Sequence, residues 1–173
     1  MYSRPVSSTN PTLALFLIDQ SGSMGGHWGQ SGVQKCTMAS NALNQTLYDL
    51  TLTACMRADE IADRVHVGII GYGNPGVNQI LGGAEEGWLP ATEWCTSYDS
   101  ISKVPVSYDG SRVIEREVPI WVSPASNNGT PMPQALDLAA KIVSRHMEMY
   151  PESHPPIVIN ITDGEAEQLN GPA

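Results

Sequence analysis

The sequence predicts an α/β fold with a mostly parallel central sheet, because unbroken apolar runs alternate with helical patterns along the chain. The runs TLALFLI (12–18), RVHVGIIGYG (64–73) and PPIVINITD (155–163) are continuous rather than alternating, which is typical of strands buried on both faces. Two of the three runs end in an aspartate, as FLID and INITD. This shared ending is the pattern that a functional interpretation has to explain.

Two segments between these runs carry helical periodicity. From residue 33 to about residue 56, apolar residues recur every three or four positions, which predicts an amphipathic helix. A second helix is predicted from 131 to about 149, because Pro131 and Pro133 suit a first turn, where a missing N–H costs nothing. Thr130 is the expected N-cap of this helix.

The middle of the chain is less regular. VNQIL (77–81) follows a Gly-Asn-Pro-Gly turn, so we expect a third strand paired as a hairpin. Residues 82–116 show no clear period, and we predict only a short helix between Ala91 and Val104. EVPIWVS (117–123) is predicted to be extended. Three tryptophans of this region are expected to pack in the core, namely Trp88, Trp94 and Trp121.

Composition bounds the function. The chain has 173 residues, and we predict an N-terminal extension (1–11) and one domain (12–173). Its net charge of −9 argues against binding to a phosphate backbone, which needs a basic face. The three cysteines have no metal-binding spacing and indicate reduced thiols. Because the first apolar run is too short for a signal peptide or a membrane span, we expect a cytoplasmic protein.

Five oxygen-bearing side chains are expected to meet at one edge of the sheet. If the strands that end at Asp19 and Asp163 are neighbours, their carboxylates lie together, beside the hydroxyls of Ser21 and Ser23. The loop SNNGTP (126–131) adds the hydroxyl of Thr130 at a helix start. Such hard oxygen donors favour Mg²⁺ or Mn²⁺ over Zn²⁺, and the neutral hydroxyls leave the ion able to attract an external carboxylate.

This set of motifs resembles the von Willebrand factor type A domain and its metal-ion-dependent adhesion site. The resemblance rests on Asp19-x-Ser21-x-Ser23 after the first strand, Thr130 in a Gly-Thr-Pro loop and Asp163 in a later Thr-Asp-Gly. It implies a Rossmann-like sheet in which the serines and the threonine bind the metal directly, while the aspartates bind it directly or through water. The motifs are similar to those of intracellular prokaryotic members, some of which accompany kinases, phosphatases or AAA ATPases in stress or defence systems.

The expected function is therefore non-enzymatic: Mg²⁺-dependent binding of a partner protein through an acidic side chain. The alternative is a metal-dependent hydrolase or phosphatase that uses the same cation, although no general base or nucleophile is convincingly placed. A purely structural metal is a third interpretation. The family's sheet has further strands after the Thr-Asp-Gly loop, whereas this sequence stops at Ala173, so we expect a missing segment, a second copy or another chain to cover the strand before Asp163.

Other interpretations of the same residues are weaker. GYGNPG (71–76) matches G-x-G-x-x-G, but Pro75 and the glycines that follow favour a turn over a nucleotide-binding helix start. A dehalogenase-type phosphatase would need an acid where Ser21 stands, and a serine hydrolase would need G-x-S-x-G. Ser21 and Ser23 could also cap a helix while the aspartates accept backbone N–H groups. His66 and His146 are expected to be structural, and Trp28 and Glu165 are expected near the rim of the site.

Overall fold

The computed structural model of the protein describes residues 5–109 and 112–164, and Glu165 lies outside them. Eleven α-helices and β-strands occur in these ranges: β1 (Thr12–Asp19), α1 (Lys35–Leu50), β2 (Met56–Arg57), β3 (Glu60–Ile61), β4 (Val65–Tyr72), β5 (Val77–Leu81), α2 (Ala91–Trp94), β6 (Ser100–Asp109), β7 (Arg112–Ile120), α3 (Met132–Met149) and β8 (Ile157–Ile161). None of the helices in the described ranges is long and apolar enough to cross a membrane.

The central sheet has four strands in the order β5-β4-β1-β8. β1 runs parallel to both β4 and β8, and only β5 is antiparallel, paired with β4 as a hairpin. The predicted α/β class with a mostly parallel sheet is therefore confirmed. The register pairs Ile18 of β1 with Ile161 of β8, so the chain leaves both strands at the same edge and carries Asp19 and Asp163 there.

Helices cover both faces of the sheet. Successive side chains of β1 point to opposite faces, so alternate residues pack against different helices. Leu13, Leu15 and Leu17 pack in one apolar cluster with Ala135, Ala139 and Ile142 of α3. The intervening residues Ala14, Phe16 and Ile18 pack in a second cluster with α1. The helices α1 and α3 thus lie on opposite faces, and β1 is fully buried between them.

The middle of the chain differs from the prediction. The strands β6 and β7 pair antiparallel as a hairpin, where the sequence predicted an extended segment only from residue 117. The short helix predicted between Ala91 and Val104 is present and is limited to Ala91–Trp94. Pro105 is accommodated because the register of the hairpin shifts between Pro105 and Ser107, and a proline is tolerated at such an irregularity. The three tryptophans of this region are buried, as expected.

A buried polar side chain ties this hairpin region to α1. Asn44 of α1 is 1 % exposed, and its Oδ1 accepts the backbone N–H groups of Trp121 (2.9 Å) and Val122 (3.0 Å). Its Nδ2 donates to the Val122 carbonyl at 2.8 Å. These three bonds satisfy backbone groups of the two residues that follow β7, which pair with no strand in the described ranges. Buried backbone N–H and C=O groups require such partners.

Two helix ends also differ from expectation. The first helix becomes a π-helical turn at Thr51–Cys55 and so ends within the predicted range. The N-cap position of α3 is Pro131 rather than Thr130, since α3 begins at Met132 and the Met132 N–H donates to the Thr130 carbonyl at 2.7 Å. Pro131 and Pro133 do flank the first helical residue, which is the placement that the missing proline N–H favours.

A histidine pair is buried between β4 and α3, at the end of the sheet away from Asp19. His66 Nδ1 and His146 Nε2 are 3.2 Å apart, and His66 Nε2 lies 3.4 Å from Asp63 Oδ2. Because a carboxylate only accepts, His66 Nε2 carries its proton and His146 Nε2 donates to His66 Nδ1. His146 Nδ1 then remains an unprotonated acceptor that has no hydrogen-bond partner among the described residues. Burial, together with His66, lowers the pKa of His146 to about 4.

Candidate functional site

Asp19 ends β1 with a buried carboxylate that organises the start of the next loop. The residue is 1 % exposed, and its Oδ1 accepts the backbone N–H of Ser21 at 2.8 Å. Its Oδ2 accepts the hydroxyl of Thr162 at 2.7 Å. A buried carboxylate needs such donors because it has lost its hydration. The two bonds hold the start of the Ser21 loop and the end of β8 together at Asp19.

The two serines connect Asp19 to Asp163. Ser21 Oγ lies 3.0 Å from Ser23 Oγ, and the Ser23 hydroxyl donates to Asp163 Oδ1 at 3.1 Å. Ser21 precedes the short 3₁₀ helix Gly22–Gly25, yet its side chain makes no capping hydrogen bond to that helix. The capping alternative therefore has no support at Ser21, whereas the N–H of Ser21 does bond to Asp19 as that alternative proposed.

Lys35, the first residue of α1, holds the other oxygen of Asp163. Its Nζ lies 2.8 Å from Asp163 Oδ2, and the two side chains are 27 % and 6 % exposed. An ammonium at this distance neutralises the carboxylate much as a bound cation does. Sequence reasoning missed Lys35, because nothing in its local pattern reveals a contact that spans 128 residues.

Thr162 and Asn160 are two further side chains that the sequence did not single out. Thr162 bonds to Asp19, as described above, and its Oγ1 also accepts the N–H of Gly164 at 3.1 Å. Asn160 Oδ1 accepts the hydroxyl of Tyr72 at 2.9 Å, which ties β8 to β4 across β1. Burial raises the pKa of Tyr72, so this hydroxyl stays protonated as a donor. For Thr162 and Asn160, the available signal in the sequence was their position beside Asp163 in the segment INITD.

The loop that leads to Thr130 lies against the serine loop. The N–H of Asn127 donates to the Gln20 carbonyl at 2.5 Å. A methyl group on Gly22 would lie 3.0 Å from Asn128 Oδ1, and one on Gly25 would lie 2.9 Å from Ser126 Oγ, so a larger residue at either position would require those side chains to shift. Thr130 itself is buried and lines a cavity of about 410 Å³ with the turn at 73–76.

Hydrogen bonds thus connect four of the five predicted residues, namely Asp19, Ser21, Ser23 and Asp163. The loop that carries the fifth, Thr130, packs beside them. In the described ranges, no three His, Cys, Asp or Glu side chains form a group suited to a metal, so a metal site here must use hydroxyls. The oxygen spacings of 3.0 and 3.1 Å are close to the edge of an oxygen octahedron around Mg²⁺, about 2.9 Å for bonds of about 2.05 Å. Hydroxyl and carboxylate oxygens are donors that Mg²⁺ accepts, and coordination of the ion by any of the five predicted side chains stays a prediction.

An apolar groove begins at Asp163. It has a volume of about 340 Å³ and runs between α1 and β8, lined by Met24, Trp28, Lys35, Met38, Ala39, Ala42, Ile161, Thr162 and Asp163. The Trp28 side chain is exposed at its rim. The site consequently combines a charged, oxygen-rich end with an apolar channel.

The glycine-rich segment GYGNPG covers the end of β4 and the turn to β5 and does not open a helix. Gly73 lies so close to Gln20 that a methyl group on it would be 2.7 Å from the Gln20 carbonyl oxygen. Gly73 therefore serves close packing beside the candidate site, and the dinucleotide interpretation lacks the helix start that it needs.

Comparisons of the chain with protein-family models, with curated proteins and with solved structures gave no match.

Proposed function

We propose that this chain is a protein-binding module of the von Willebrand factor type A kind, in which Mg²⁺ captures an acidic side chain of a partner protein. The observation that carries the proposal is the connected series Asp19–Ser21–Ser23–Asp163 at the carboxyl edge of β1 and β8. Open α/β sheets bind ligands at this edge. Residues from distant parts of the chain bring hydroxyl and carboxylate oxygens together there, as a binding site requires.

The proposed roles follow from the donor types. The hydroxyls of Ser21, Ser23 and Thr130 and the carboxylates of Asp19 and Asp163 would hold the ion. Mg²⁺ held largely by neutral oxygens supplies an electrophilic position that takes a carboxylate from outside. Thr162 keeps Asp19 oriented through its 2.7 Å hydrogen bond. The groove beside Asp163 would receive the apolar surroundings of the partner's acidic residue.

The contacts of the serines favour binding over catalysis. A serine nucleophile needs an adjacent base, usually a histidine. Ser21 and Ser23 instead bond to each other and to Asp163, and the described pair His66 and His146 lies between β4 and α3 at the other end of the sheet. This arrangement gives no support to a serine nucleophile and favours capture of a ligand. The alternative from the sequence, a metal-dependent hydrolase or phosphatase that uses the same cation, is addressed by the turnover assay below.

The test is a pull-down from source lysate with the immobilised protein, in Mg²⁺ and in EDTA. We expect capture of a defined protein in Mg²⁺, its release by EDTA and its loss in Asp19→Asn. Asp137→Asn on the exposed side of α3 is the matched control and should capture normally. Capture that persists in EDTA, or turnover of generic phosphoesters that Asp19→Asn abolishes, would contradict the proposal.

A further inference from the structure

Two of the three cysteines lie against each other in the apolar core. Cys55 is the last residue of the π-helical turn Thr51–Cys55, and Cys95 directly follows α2. Their thiols are hydrogen-bonded to each other, although the two residues lie far apart in the sequence. Both are free thiols, and the residues Cys55 and Cys95 are 0 % and 6 % exposed. The candidate metal site uses neither of them.

A second contact holds Cys95 against the same turn. Thr51 Oγ1 lies 3.5 Å from Cys95 Sγ. Thr51 and Cys55 are the first and last residues of the π-helical turn, and side chains four positions apart in a helix are neighbours. The backbone is held on both sides, because the Cys55 carbonyl accepts the N–H of Ala62 at 2.8 Å and the Cys95 N–H donates to the Ala91 carbonyl at 3.2 Å. The packing of the two segments therefore keeps the thiols in contact.

This contact makes the two thiols chemically unequal. The hydrogen bond from Cys55 lowers the pKa of Cys95 despite the burial of that thiol, and Thr51 acts in the same direction. The same hydrogen bond, together with burial, raises the pKa of Cys55. The thiolate is the form that attacks an oxidant, and Cys95 is also the more exposed of the two residues. Cys95 is thus the sulfur that a small oxidant reaches first, and Cys55 is the thiol beside it.

We propose that Cys55 and Cys95 form a disulfide in the folded protein when it meets hydrogen peroxide, so that the turn after α1 becomes covalently joined to the end of α2. The Cys95 thiolate attacks one peroxide oxygen and the O–O bond breaks. Cys95 becomes a sulfenic acid, and the departing hydroxide takes a proton and leaves as water. The Cys55 sulfur then attacks the Cys95 sulfur, the S–O bond breaks, and a second water leaves with the Cys55 proton. The two sulfurs lose two electrons in total, which reduce one peroxide to two waters.

The third cysteine cannot replace either partner in the folded protein. Cys36 lies in the first turn of α1, whereas Cys55 lies beyond the C-terminal end of that helix. At about 1.5 Å per residue, the helix places Cys36 about 21 Å from Leu50. A disulfide needs Cα atoms within about 7 Å of each other. Cys36 therefore provides an internal control for the selectivity of the reaction.

The test is peptide mapping without reduction. The folded protein is treated with hydrogen peroxide, and the remaining thiols are then alkylated in denaturant. We expect a linked pair of peptides that contains Cys55 and Cys95 and is lighter than the two reduced peptides by the mass of two hydrogen atoms, with Cys36 alkylated. Dithiothreitol should restore both thiols. Cys36→Ser should form the same bridge, whereas Cys95→Ser should form no internal disulfide.

The urea midpoint provides a second measurement. A bridge between residues 55 and 95 restricts the unfolded chain, so the bridged wild type and the bridged Cys36→Ser should unfold at higher urea than their reduced forms. Three alkylated thiols after peroxide treatment, a bridge that includes Cys36 or a Cys55–Cys95 bridge that forms only in urea would overturn the proposal. None of these outcomes depends on metal binding.

Discussion

The His66–His146 pair should make the folded state sensitive to mild acid. His146 is 0 % exposed, and in the described part of the chain its Nδ1 has no hydrogen-bond partner, so a proton added there would create a buried cation without an acceptor from these residues. Burial, and then the neighbouring His66, lower the pKa of His146 from 6.5 to about 4. Burial also lowers the pKa of His66, despite the Asp63 carboxylate beside it.

The sign follows from proton linkage. In the unfolded chain His146 takes up a proton near pH 6.5, whereas in the folded protein it does so only near pH 4. The unfolded state therefore binds more protons between these values, and stability falls as the pH falls through this window. From about pH 7.5 to about pH 4.5 the loss is about 2 to 3 kcal/mol for this one group, at about 1.4 kcal/mol per pH unit. Above about pH 7.5 both states hold His146 neutral and the stability no longer depends on this group.

The assay is urea unfolding followed by tryptophan fluorescence across this pH range. His146→Gln removes the titrating group and keeps a donor near the position of Nε2, so its stability should fall by about 2 to 3 kcal/mol less than that of the wild type. His27→Gln, at an exposed histidine, is the control and should follow the wild type. Parallel pH profiles for wild type and His146→Gln would refute the reasoning, because the buried histidine would then contribute nothing to the linkage.

Two substitutions test other contacts. Lys35→Met removes the ammonium that occupies Asp163 Oδ2 at 2.8 Å, so we expect Mg²⁺ to bind about threefold more tightly by calorimetry, which is the scale of a partly exposed ion pair; weaker binding would contradict this competition. Asn44→Ala leaves three buried backbone groups of Trp121 and Val122 without partners and should cost about 3 kcal/mol in urea unfolding. Gln45→Ala, which loses one bond to the Pro105 carbonyl, should cost about 1 kcal/mol or less, and an equal loss in the two variants would refute the role of Asn44.

The parts of the fold that the sequence predicted are those where burial leaves a local pattern. β1 and β4 are buried along their whole length, and their unbroken apolar runs are visible without any knowledge of their neighbours. β8 has the same pattern but is exposed in the structure, so its composition indicates a buried strand that the described residues do not provide.

The hairpin β6–β7 was missed because Pro105 interrupts its alternation. The Gly-Ser dipeptide at 110–111, between the end of β6 and the start of β7 in the sequence, is a two-residue hairpin signal and could have been used. The short helix predicted between Ala91 and Val104 is present as α2, whereas the strand that begins at Ser100 was not predicted.

The sequence predicted those residues of the candidate site that lie at strand ends and in the loops that follow them. Asp19, Ser21, Ser23 and Asp163 were named from their positions, and the parallel pairing of β1 with β8 brings them together. Lys35 and the His66–His146 pair could not be found this way, because each depends on residues far apart in sequence that only the packing of the helices brings into contact.

The most direct measurement is calorimetric titration of Mg²⁺ into the wild type, Asp19→Asn and Asp163→Asn. We expect one Mg²⁺ site in the wild type and its loss in both variants, whose folding is checked by circular dichroism. The control Asp137→Asn should bind Mg²⁺ as the wild type does. Equal Mg²⁺ binding by wild type and Asp19→Asn would show that these oxygens do not hold the ion.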